Sequence, residues 1–196
     1  MQKLFAVLVS FAFVFVTPAI PQQQDETTFP SDTEVRLLVT QAERAVLQYK
    51  PLLDEEAIQL GTAGAEAVAK DRDVVHALES AFKALKENPQ GFNGPGGFAV
   101  FEWLDDASRN ALLCSSTSMN SLTEQMMAGN TKNQIPLMHL SESCMDVSTL
   151  FYTVSENAGS LYQRYVKAEQ ALAQKGFKVA ERCTAALKQM SEAKKQ

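Results

Sequence analysis

The chain has 196 residues, of which 45% are hydrophobic and 21% are charged, and its formal net charge is −5. These values fit one globular domain and exclude the disordered, collagen-like and strongly basic nucleic-acid-binding classes. Composition alone does not choose among the classes that remain.

Residues 1–19 have the pattern of a secretory signal peptide. Lys3 precedes an apolar run over 4–16, and Thr17 and Ala19 occupy the small-residue positions before a cleavage site. The run is shorter than the roughly 20 residues that a membrane-spanning helix needs. We therefore expect cleavage near Ala19 and a secreted or periplasmic protein with no stable membrane anchor.

The polar sequence over 20–30, which has a proline near each end, predicts a flexible leader. Ser31 and Glu34 then form a capping box, which predicts a helix that starts near residue 32. Pro51 lacks an amide hydrogen, so we expect the chain to kink or turn there. The apolar residues before it recur at helical spacing: Val35, Val39, Ala42, Val46 and Tyr49.

A second apolar run predicts a second helix, whose start is weakened by Gly61 and Gly64. Glycine and proline are concentrated over 87–97, which predicts a loop between antiparallel helices. This loop is not a phosphate-binding motif, because no Lys-Ser/Thr follows its glycines. The stripe of the second helix consists of Ala57, Leu60, Ala67, Val74, Leu78, Ala81 and Leu85.

A third helix is predicted from about Phe98 to Ala128, with a left-handed cap at Gly129 and Asn130. Phe98, Phe101 and Trp103 should close one end of the core. The seam of this helix is rich in small residues, so we expect a neighbouring helix to approach it closely: Phe101, Leu104, Ser108, Ala111, Ser115, Ser118 and Leu122.

The last segment is the most periodic. One straight helix over 137–191 would be about 82 Å long at roughly 1.5 Å per residue, whereas a compact domain of this size has a radius of gyration of roughly 16 Å. Either the helix breaks, at Gly159 or at Gly176, or the bundle is elongated; of these we expect elongation with a kink. Every seventh residue from Leu137 is apolar: Leu137, Cys144, Phe151, Ala158, Tyr165, Leu172, Val179 and Ala186.

No strand-like alternation is present, so the predicted fold is all-α. We expect an antiparallel, elongated bundle of about four helices over 31–191, followed by a flexible tail over 192–196.

The sequence contains no pattern that indicates catalysis. No hydrolase nucleophile motif occurs, and the two histidines each precede a glutamate by three residues. We interpret His76 with Glu79 and His139 with Glu142 as exposed surface pairs on helices. We expect no catalytic residue, no cofactor and no enzymatic activity.

A group of sulfur-containing residues indicates an alternative function, the binding of a soft metal ion. If the third and fourth helices form a hairpin centred near Lys132, within the turn over 129–136, residues whose numbers sum to 264 lie opposite each other. Thioether, thiolate and imidazole groups suit Cu(I), although packing of methionines along the seams is the simpler interpretation. The candidate metal ligands are Met119, Met126, Met138, His139, Cys144 and Met145.

Three cysteines, Cys114, Cys144 and Cys183, permit one disulfide and leave one thiol over. The sequence leaves all three pairings open. In the hairpin register above, Cys144 lies roughly 9 Å along the helix axis from the point opposite Cys114. A Cys114–Cys144 bond therefore requires a shifted register.

Together these patterns predict an exported, non-enzymatic helical bundle that acts by binding, either to a protein partner or to its own copies as a homo-oligomer. Removal of residues 1–19 takes away only Lys3, which leaves 17 basic and 23 acidic residues and a net charge of −6. We expect no nucleic-acid partner for such an acidic chain. The alternative function is soft-metal binding at the sulfur-containing group.

Overall fold

The structure is a computed structural model, and it describes residues 28–193 of the chain. The predicted signal peptide, most of the leader and the last three residues lie outside the described residues. Within 28–193 the fold is all-α and contains no strand, as predicted. The elements are α1 (Asp32–Glu87), a 3-10 helix (Pro89–Phe92), α2 (Pro95–Met127) and α3 (Gln134–Ala193).

Helix α1 turns back on itself at Gly61, so its two arms, 32–60 and 62–87, form a hairpin. Gly61 has φ 61° and ψ −135°, a conformation that residues with a side chain rarely adopt. The turn is tight, because a Cβ atom on Gly64 would lie 2.6 Å from the carbonyl oxygen of Glu56. The two arms pack with α2 and α3 as an antiparallel four-helix bundle.

The turn that is one of the two outcomes predicted at Pro51 does not occur, because Pro51 lies inside the first arm of α1. A proline removes a single helical hydrogen bond, and this proline is exposed, so the helix accommodates it. The chain reverses instead where glycine permits a positive φ.

The capping box forms at the predicted position. The Ser31 hydroxyl accepts a hydrogen bond from the Glu34 amide at 3.3 Å, and Glu34 Oε2 accepts one from the Ser31 amide at 2.8 Å. The chain is already packed before this cap, since Pro30 is buried and the Phe29 ring lies 6.0 Å from that of Tyr165. The leader predicted over 20–30 thus overlaps the bundle at its last residues.

The stripe of the first arm is buried as predicted, but that of the second arm is displaced by one residue over part of its length. Leu78 and Leu85 are buried, whereas Ala67 is exposed and Val68 takes its place in the core. The main core joins all four helices and includes Leu38, Val46, Leu53, Val68, Leu78, Phe82, Leu104, Phe151 and Val154.

The glycine-rich loop places α2 tightly against the buried ring of Phe92. A Cβ atom on Gly97 would lie 2.3 Å from the Phe92 carbonyl oxygen, so only glycine fits there. At its other end α2 is capped as predicted: Gly129 has φ 69°, and the Asn130 amide donates to the Gln125 carbonyl at 2.9 Å.

Helices α2 and α3 approach closely, as the small-residue seam predicts. The hydroxyl of Ser108 donates to the Ser148 carbonyl at 3.0 Å, and the hydroxyl of Ser148 donates to the Ser108 carbonyl at 2.8 Å. Farther along, the Ser141 hydroxyl donates to the Ser115 carbonyl at 3.0 Å. A side-chain hydroxyl reaches the backbone of the facing helix only where the two backbones are close.

These serine contacts also show that the predicted hairpin register is wrong. Facing serines have numbers that sum to 256 rather than 264. The chain reverses at Gly129, directly after α2, so the centre of the hairpin lies nearer to α2 than Lys132. In this register the Cα atoms of Cys114 and Cys144 are 6.0 Å apart and the two residues form a disulfide, while Cys183 is free and exposed.

Helix α3 is a single helix of 60 residues, about 90 Å long at roughly 1.5 Å per residue. Gly159 and Gly176 lie inside it without positive φ, so the segment is one continuous helix and the alternative of a break at either glycine does not occur. Gly159 has a packing role instead, because a Cβ atom there would lie 3.2 Å from the ring of Phe101.

Candidate interaction surface

Helix α3 is longer than the bundle that it helps to form. The bundle ends near Arg164, whose guanidinium contacts Glu34 in the first turn of α1, and near Tyr162, whose ring lies 5.6 Å from that of Phe98 in the first turns of α2. Over 134–185, the part of α3 whose side chains are described, Ala168 is the last buried residue. The part beyond it, 169–193, is about 37 Å long at roughly 1.5 Å per residue, and we call it the overhang.

The overhang carries an uncovered apolar stripe. Every residue over 172–185 is exposed, including Leu172 at 62% and Val179 at 59%. About five full turns, or 18 residues, separate Leu172 from the buried Val154 and Val179 from Leu161, which packs against the core. Leu172 and Val179 therefore lie on the face of α3 that the bundle covers elsewhere. The overhang stripe consists of Leu172, Gly176, Val179 and Cys183.

Charge is divided between the overhang and the bundle. The chain after Glu169 has six basic and two acidic residues, a net charge of +4. Residues 28–169 have eleven basic and nineteen acidic residues, a net charge of −8. At about 100° per residue, Lys175, Lys178 and Arg182 all lie on the same flank of the overhang stripe.

The root of the overhang is held firmly in the bundle. Arg164 donates to both carboxylate oxygens of Glu34, at 2.7 and 2.6 Å, and this contact is largely shielded from solvent. Hydrogen bonds from Arg164 lower the pKa of Glu34 to about 2. Phe98 and Tyr165 pack against Tyr162 at the same level, at 5.6 and 5.8 Å between ring centroids. The overhang therefore continues from a fixed segment of α3.

The structure places the candidate metal ligands only partly together. Met119 and Met145 line one groove between α2 and α3, together with Ser115 and Ser141. Cys144 is bonded to Cys114, so its sulfur is not a thiolate ligand.

The remaining candidates lie on the surface. Met126 and Met138 are exposed, and His139 Nδ1 lies 3.9 Å from Glu142 Oε2 with both side chains 65% exposed, which confirms this predicted surface pair. His76 is also exposed and lies beside Glu79 in a groove between the arms of α1. Among residues 28–193, no group of three or more His, Cys, Asp or Glu side chains is placed to hold a metal ion.

A buried polar group in the α1 hairpin was missed by the sequence analysis. Tyr49 is buried and donates a hydrogen bond of 2.5 Å to Asp71, which is also buried. Glu56 is 3% exposed, and its Oε2 atom has no hydrogen-bond partner. Burial, reinforced by the negative charge of Asp71, raises the pKa of Glu56 to about 7. Burial also raises the pKa values of Asp71 and Tyr49.

The sequence does contain a signal for this group. Glu56 follows Tyr49 by seven residues, and Asp71 precedes Leu78 by seven, so both carboxylates lie in line with core positions. Carboxylates are rarely buried, so this spacing alone does not predict that Glu56 and Asp71 lie in the core.

Comparison with known proteins does not assign the chain to a family. No family model matches it, and neither the curated proteins nor the solved structures include a match. No helix within 28–193 is long and apolar enough to cross a membrane. Function is therefore inferred from the geometry and chemistry of the described residues.

Proposed function

We propose that this protein is an exported, non-enzymatic binding protein that contacts another helix along the overhang stripe. One observation carries the proposal: α3 continues for about 37 Å beyond its bundle with its bundle-facing stripe uncovered. Apolar residues such as Leu172 and Val179, at helical spacing on a fixed helix, suit packing against a second helix.

Two features support export to a secreted or periplasmic location. Residues 1–19 have the pattern of a signal peptide. The Cys114–Cys144 disulfide suits an oxidising compartment, since such bonds are rare in reducing cytosol.

Chemical cross-linking in the exported fraction tests this proposal. We expect adducts of the wild-type protein to disappear in the double variant Leu172→Glu/Val179→Glu, because two carboxylates in an apolar contact are costly to bury. Phe177→Glu is the matched control: Phe177 is 76% exposed but lies about 120° around the helix from Cys183. Adducts that are identical in the wild type and the double variant would contradict the proposal.

The alternative, soft-metal binding, is supported by one observation: Met119 and Met145 line the same groove. Two thioethers on facing helices suit Cu(I). On this alternative, Cu(I) titration of the exported protein shows tight binding that Met119→Leu/Met145→Leu abolishes. Weak binding that is the same in both proteins would exclude it.

A further inference from the structure

We propose that the occupant of the overhang stripe is the overhang of a second copy of this chain, packed antiparallel to the first. This inference rests on the proposed function, and it adds the identity and the orientation of the partner helix. It is carried by the placement of the stripe, by the division of charge and by the length of the overhang.

The face on which the stripe lies restricts the orientation of the second copy. Leu172 lies about five full turns after Val154, which is part of the main core. Val179 lies the same distance after Leu161, which packs against that core. A helix on the stripe therefore lies in line with the ends of α1 and α2. In a parallel arrangement the second α3 continues into its own bundle, which then occupies the space of the first bundle. In an antiparallel arrangement the two bundles lie at opposite ends.

Charge favours the same orientation. Antiparallel packing brings the basic end of each overhang, net +4 after Glu169, to the acidic bundle of the other copy, net −8 over 28–169. The bundle end that it approaches carries the exposed residues Asp32 and Glu87. Parallel packing instead leaves the two basic ends next to each other and beyond the reach of either acidic bundle, since the screening length is about 8 Å at physiological salt.

The length of the overhang places Cys183 near the two-fold axis. The overhang, 169–193, overlaps fully with its antiparallel copy when the axis passes close to residue 181, the midpoint of this range and two residues from Cys183. Cys183 is free, exposed and on the stripe. Its thiol therefore offers a natural position for a probe at the centre of the interface.

Sedimentation equilibrium of the full protein recovered from the exported fraction tests the identity of the partner. We expect a dimer for the wild type, roughly 100-fold weaker association for Leu172→Glu/Val179→Glu because charge is buried, and wild-type association for Phe177→Glu. All substituted residues lie outside the bundle, so thermal unfolding should show that the bundle is intact. A wild-type chain that stays monomeric, or a dimer that the double variant retains, overturns the inference.

Distances between spin labels test the orientation. Labels on Cys183 of the two copies should lie close together, with helix axes about 8–10 Å apart. Labels on Gln170→Cys in a Cys183→Ser background should lie about 33 Å apart, since roughly 22 residues of helix then separate them along the axis. Close approach of the residue 170 labels overturns the antiparallel arrangement.

The outcomes separate this inference from the proposed function. If the purified chain is monomeric but cross-links to other proteins through the stripe, the second copy is the wrong partner and the proposed function stands. If the stripe variant changes neither sedimentation nor cross-linking, both are wrong.

Discussion

At the scale of single residues, Glu56 is the side chain whose environment departs furthest from what its type leads one to expect. It is buried beside Asp71, at the end of the first α1 arm, with one carboxylate oxygen lacking a partner. Burial holds its pKa near 7, against 4.5 for an ordinary glutamate. The folded protein therefore retains a proton between these pH values that the unfolded chain has released.

Stability should for this reason decrease as the pH rises from about 4.5 to about 7. The contribution of Glu56 to the free energy of unfolding is greatest below pH 4.5. It should fall by about 3 kcal/mol once the pH exceeds 7, at roughly 1.4 kcal/mol per pKa unit. Glu56→Gln should remove most of this dependence and be more stable than the wild type at pH 8. Urea denaturation of both proteins at several pH values measures their free energies of unfolding.

Glu55→Gln is the matched control, since Glu55 is the preceding residue and is less buried. It should keep the pH dependence of the wild type. A Glu56→Gln variant with the same pH dependence as the wild type would show that Glu56 is ionised in the folded protein.

At the scale of elements, short-range sequence signals predict where helices begin and end better than they predict which helices pack together and in which register. Ser31 with Glu34, and Gly129, act within one turn of chain, so the start of α1 and the end of α2 were predicted correctly. At Gly61 the sequence predicts only a weakened helix start, because two glycines inside an apolar stripe do not reveal a reversal of the chain. The α2–α3 register depends on the serine contacts across the helices, which spacing within one helix does not show.

The Cys114–Cys144 disulfide fixes that register, and its removal should destabilise the bundle. Its cysteines are 30 residues apart in sequence, for which loop-closure entropy gives about 3–4 kcal/mol. We expect urea denaturation of Cys114→Ser/Cys144→Ser to give a free energy of unfolding that is lower than that of the wild type by this amount. Cys183→Ser, which changes the free thiol, should unfold like the wild type; equal stability of all three proteins would argue against the pairing.

At the scale of the whole molecule, the sequence predicted an elongated all-α bundle but not where the bundle ends. The heptad of apolar residues continues without change from Phe151 to Val179, although the first is buried and the second is 59% exposed. Periodicity indicates which face of a helix is apolar, whereas the lengths of α1 and α2 decide how much of that face is covered. The overhang stripe is therefore exposed because α3 extends beyond the helices that cover the rest of its apolar face.

The central claim is that the overhang is the part of the molecule that binds, and a chain that ends at Ala168 tests it most directly. This chain keeps every residue of α3 over 134–185 that is buried, so thermal unfolding should show that its bundle is still folded. Sedimentation equilibrium of the two exported proteins should show a dimer for the full chain and a monomer for the shortened one. Equal association of the two chains would contradict the account.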